Sequence, residues 1–80
     1  MIEWVDRETL RYSEEGRSVL AWVDYSLGFF SNGRILRTES LKHWQRAEGG
    51  LEEMTASDVA RVVEEIRKHY RSEGVSLSVE

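Results

Sequence analysis

Eighty residues with a net charge of −4, no cysteine and no proline are enough for one small domain, 1–80, in which nearly every large apolar side chain must serve the core. The absence of thiols excludes disulfides and thiolate metal sites, and 15 acids against 11 bases disfavour a phosphate-binding, nucleic-acid surface. No apolar run approaches the roughly 18 residues that span a bilayer, and MIEWVDRETL lacks the basic start and apolar run of a signal peptide, so a cytoplasmic protein with no membrane association is expected.

Along the chain, Ile2 and Trp4 suggest a short first strand. TLRYSEEGRSVLAWVDYS reads as a hairpin, with Leu10 and Tyr12 on one face and Gly16 in the turn. In FFSNGRIL the Asn32-Gly33 pair lies between two apolar runs, a strong hairpin cue because both residues tolerate positive φ. SLKHWQRAEGG follows as a strand or loop, in which Leu41 and Trp44 anchor the segment against the core while Lys42 and Arg46 sit in water. AEGGLEE reads as the connection into a helix.

That helix is the clearest element. Val59, Val62, Val63, Ile66 and Tyr70 form an amphipathic stripe. Thr55 is a natural N-cap with Asp58 as the acidic member of a capping box, and Met54 is placed to close against Val59. Glu64 and Lys68 stand at i, i+4 in the favourable order, Arg67, Lys68 and Arg71 complement the dipole, and Gly74 suits a left-handed stop. The spacing predicts a helix over 55–72. Beyond it, Val75, Leu77 and Val79 alternate with serines as a strand with one buried face. The expected fold is α+β: a small antiparallel sheet of about four to six strands, one C-terminal amphipathic helix on one face, and a final strand.

One helix covers one face of such a sheet. The other face is polar at Thr9, Arg11, Ser13, Ser76 and Ser78, but in VLAWVDY it carries Leu20 and Trp22, opposite Val19, Ala21 and Val23. Either the 40–53 segment covers these two side chains, or they form an exposed anchor of the kind that dominates protein interfaces. Homodimerisation through this face would satisfy the same pattern. The candidate partner-binding residues are Trp22, Leu20, Asp24 and Arg11.

Catalytic signals are weak. His43 and His69, the two histidines, have no HExxH or other metal spacing around them. Glu14-Glu15, Glu52-Glu53 and Glu64-Glu65 read as solvated charge. A GxSxG elbow and a phosphate-cradling loop are both missing, and Gly49-Gly50 alone is weak. Phe29-Phe30 fits core packing better than base stacking, given the acidic balance. Neither enzyme activity, a cofactor nor a metal is expected.

The succession YSEEGRSVLAW, GFF, SLKHW, MTASDVARVVEEIRKHY and a final G-apolar-polar-apolar strand resembles the Immunity protein 74 family, small α+β proteins of bacterial polymorphic toxin systems. Gly16, Arg17, Gly28, Phe29, Trp44, Thr55, Ile66 and Tyr70 carry the resemblance. It implies a non-catalytic protein that binds and neutralises a cognate toxin. An acidic inhibitor would associate faster with a basic toxin by electrostatic steering. The alternative expectation is a structural or homo-oligomerisation module.

Overall fold

The computed structural model describes residues 1–25 and 33–80; Gly28, Phe29, Phe30 and Asn32 lie outside the described residues. In chain order the elements are β1 (Ile2–Asp6), β2 (Thr9–Glu14), β3 (Arg17–Tyr25), β4 (Gly33–Arg37), a 3-10 turn (Thr38–Ser40), β5 (His43–Arg46), β6 (Leu51–Glu53), α1 (Ala56–Ser72) and β7 (Ser76–Val79). The sheet runs β1-β2-β3-β4-β7, with β5 on β3 and β6 on β5. The fold is the expected α+β arrangement: an open, mostly antiparallel sheet, one C-terminal helix and a last strand.

The β2–β3 hairpin closes through two residues. Glu14 faces Arg17 across the ladder, and Glu15 (φ 43°) and Gly16 (φ 76°) both take left-handed backbone. That is the type I′ geometry whose twist matches the strands it joins. Gly16 adopts it without the steric cost a side chain would bring. The second expected hairpin differs: Gly33 stands within β4, opposite Ser76, and Arg34 pairs with Tyr25.

Seven described strands replace the four to six expected. The difference lies in AEGGLEE, which is a hairpin and not a linker. Gly49 (φ 101°) and Gly50 (φ 89°) turn the chain, Gly49 N–H donates to Arg46 O at 3.0 Å and Arg46 N–H to Gly50 O at 3.1 Å, and Leu51–Glu53 returns as β6 against β5. β3, nine residues long, accommodates both neighbours on one edge: β5 at Arg17 and Ser18, β4 from Trp22 to Tyr25.

The helix begins where its cap chemistry places it. Thr55 Oγ1 accepts from Asp58 N–H and the Asp58 carboxylate accepts from Thr55 N–H, both at 3.0 Å, completing a capping box. Gly74 (φ 73°) follows the C-cap Glu73, the left-handed residue that ends helices. Lys68 lies 3.6 Å from Glu65, one position closer along the helix than the expected Glu64. Val62, Ile66 and Tyr70 are buried against Leu10, Val19, Ala21, Val23, Leu36 and Trp44, with Val59 and Val63 partly buried beside them.

The helix also carries the chain across the sheet, so β7 pairs with β4 in parallel, the arrangement that needs a long crossover. Glu80 N–H donates to Leu36 O at 2.9 Å and Thr38 N–H to Glu80 O at 2.7 Å, fastening the strand to its neighbour. Thr55→Ala should cost about 1 kcal/mol through loss of the cap, read as a lower urea midpoint with an unchanged slope.

Candidate functional site

Alternation along β3 sorts its side chains. Val19, Ala21 and Val23 point into the core and are at most 4% exposed; Leu20 and Trp22 point away, 46% and 55% exposed. The register places Arg11 of β2 opposite Leu20 and Thr9 opposite Trp22. On the other side, Arg37 of β4 faces Trp22 and Ile35 faces Asp24. All four candidate residues therefore share the face that the helix leaves uncovered.

The 40–53 segment does not cover them. It extends the sheet as β5 and β6, with Trp44 turned to the helix side, and so borders Leu20 and Trp22 without burying them. The result is a groove of about 470 Å³ lined by Arg11, Leu20, Trp22, Lys42, His43 and Leu51, among others. Leu51, at 67% exposed, adds a third apolar side chain. Local spacing does not reveal it, because LEE reads as part of the connection into the helix. The Trp22 backbone is held in place: its N–H donates to Ser40 Oγ at 3.1 Å, and Ser40 Oγ donates to Arg37 O at 2.6 Å.

The two charged candidates are occupied within the chain. Asp24 Oδ2 accepts from Arg37 Nε at 2.8 Å, and Arg11 Nη1 donates to Glu3 Oε1 at 2.9 Å. Both pairs are solvent-accessible, a setting in which an ion pair contributes about 0–1 kcal/mol. Asp24 lies off the main groove, in a smaller concavity of about 250 Å³ with Glu8, Thr9 and Trp22.

The helix-side face is organised around a different tryptophan. Trp44 is fully buried, and its Nε1–H donates to Asp58 Oδ2 at 3.1 Å. The Arg17 guanidinium sits 4.3 Å from the ring centroid, a cation–π contact. Asp58 Oδ1 also meets Arg61 at 3.0 Å and Arg17 at 3.5 Å. Arg61 binds Glu14 through both carboxylate oxygens, at 2.8 and 3.1 Å, while Glu52 joins Arg17 and Arg46.

These donors explain the titration of the acids. The Thr55 N–H first, then the Trp44 indole and Arg61, hold Asp58 far below the usual aspartate range despite partial burial. Arg61 foremost, with Arg17 and Tyr12, holds Glu14 down as well. A concavity of about 430 Å³ at the β2–β3 turn borders Glu14, Arg17 and Arg46, but their charges are engaged in this network. Two of the adjacent-acid pairs thus contribute structural anions, Glu14 and Glu52.

The His43 side chain is exposed on the groove wall, with no hydrogen bond or ion pair among the described residues. His69 Nε2 lies 3.3 Å from Glu73 at the helix end. The two histidines occupy different elements, β5 and α1. Among the described residues there is no group of three or more potential metal ligands, and no helix long and apolar enough to cross a membrane.

The two tryptophans should separate cleanly in a urea titration. Trp44→Ala should lose about 3–5 kcal/mol, as for a buried aromatic, whereas Trp22→Ala should stay within about 1 kcal/mol of the parent. Acid should act through Asp58: a depressed folded pKa adds stability above the unfolded value of about 3.9 and loses it as pH falls further. Asp58→Asn should therefore be less stable at neutral pH and show a flatter decline in melting temperature below about pH 4. Compared with known proteins, the chain matches no family model, no curated protein and no solved structure.

Proposed function

We propose that this chain is a non-catalytic binding protein whose contact face is the helix-free side of the sheet, centred on Trp22 and Leu20. Its role in this reading is to hold and neutralise a bacterial toxin domain, as in the Immunity protein 74 family that it resembles. One observation carries the binding reading: the core is complete without Trp22, which stands 55% exposed on a strand fixed by its neighbours. A large, amphipathic side chain presented from a rigid element loses little entropy on docking and suits the centre of an interface. The net charge of −4 favours encounter with a basic partner at long range.

The test is co-expression with the product of the gene immediately upstream. Growth inhibition by that product should be relieved by the parent chain and not by Trp22→Asp, whose fold should persist because the side chain is exposed. A product that is harmless, or relief that survives Trp22→Asp, would refute the toxin-neutralising assignment.

A second reading, self-association, is favoured by β1. Its outer edge pairs with no strand among the described residues, and Trp4 and Val5 are each 46% exposed. Such an edge is a template for another strand. Sedimentation over a concentration series should find a monomer; a dimer abolished by a charged substitution at Val5 would favour the oligomerisation module.

A further inference from the structure

The groove beside Trp22 carries more cations than acids in its lining, whereas the chain as a whole is acidic. Across the sheet, Leu20 lies between Arg11 on β2 and the wall formed by Lys42 and His43. The Lys42 side chain makes no ion pair or hydrogen bond among the described residues, while its carbonyl accepts from Met54 N–H at 2.9 Å. Arg11 is held only by the accessible pair with Glu3, 44% and 47% exposed, which exchanges readily for another carboxylate. One acid, Glu39, also stands on the groove wall. In a chain with 15 acids and 11 bases, this apolar floor thus has a cation on each side, Arg11 in an accessible pair and Lys42.

The geometry points to an acidic–apolar peptide segment as the occupant of this groove: an apolar side chain seated over Leu20, Trp22 and Leu51, with carboxylates reaching Arg11 on one side and Lys42 on the other. This rests on the binding reading above and refines its partner, since the segment that docks is acidic even where the rest of the partner is basic. Burial of the apolar side chain supplies the driving force, and the flanking pairs supply selectivity.

The experiment uses the 15N-labelled full chain and two short synthetic peptides sharing a Leu-Phe-Leu centre, one flanked by aspartates and the other by lysines. The indole N–H signals of Trp4, Trp22 and Trp44 are assigned with Trp→Phe variants. The aspartate peptide should shift the Trp22 signal and leave Trp44 unmoved. Its affinity should fall about tenfold in Lys42→Glu and should weaken with added salt. Lys42→Glu should fold normally, because the Lys42 side chain has no partner to lose among the described residues and its backbone bond to Met54 is unaffected.

Equal or tighter binding of the lysine peptide through Trp22 would overturn the acidic assignment and leave the binding reading standing. Binding of neither peptide would also overturn the acidic assignment. If sedimentation of the protein alone gives a dimer that Trp22→Asp dissolves, a second copy occupies the groove and both readings fall.

Discussion

The carboxylate of Asp58 ties together the elements on which the rest of the molecule depends. One side chain closes the capping box at the start of the helix, accepts the indole N–H of Trp44 and faces the guanidinium groups of Arg17 and Arg61. Those contacts come from α1, β5 and β3, so the helix start, the β5–β6 hairpin and the central strand share one anion. Burying a charge is costly unless it is hydrogen-bonded and paired. Here both oxygens are engaged, and the carboxylate stays ionised. The same bond selects which face of β5 turns inward, since it holds the Trp44 indole on the helix side.

Once β5 is oriented this way, no described element closes the face opposite the helix. The hairpin that could have folded over Leu20 and Trp22 instead continues the sheet sideways, because its backbone hydrogen bonds to β3 require it to lie in the plane. β3 is long enough to carry β5 at one end and β4 at the other, with Ser40 bridging Trp22 to Arg37 between them. The core fills on one side, while an apolar floor remains on the other. The groove is thus a consequence of sheet geometry, and its walls are the strands that bypass it.

Charge is distributed unequally between the faces. On the helix side, Arg17, Arg46 and Arg61 interlock with Glu14, Glu52 and Asp58, which leaves little there for a ligand to recruit. On the groove side the charges form accessible pairs, as with Glu3–Arg11 and Asp24–Arg37, or, as with Lys42, have no charged partner among the described residues. Accessible pairs contribute little to folding and are free to rearrange.

The sequence by itself determined the helix, its capping box and glycine stop, the β2–β3 hairpin, and the division of β3 into Val19, Ala21 and Val23 against Leu20 and Trp22. These follow from local rules: helical periodicity, cap chemistry, positive φ at a tight turn and strict alternation. Only the tertiary structure decided that AEGG is a turn between two short strands, that β7 lies parallel to β4, and that Leu51 and Lys42 join Trp22 at one groove. It also decided that Trp22 stays uncovered, and that Trp44, the anchor expected from sequence, is held by a bond to Asp58 across 14 residues. Short strands such as HWQR and LEE carry too few residues for alternation to be read, and their pairing depends on partners distant in the chain. Contacts of that range have no signature in local spacing; they are selected by which assembly buries the most apolar surface while leaving its charges paired.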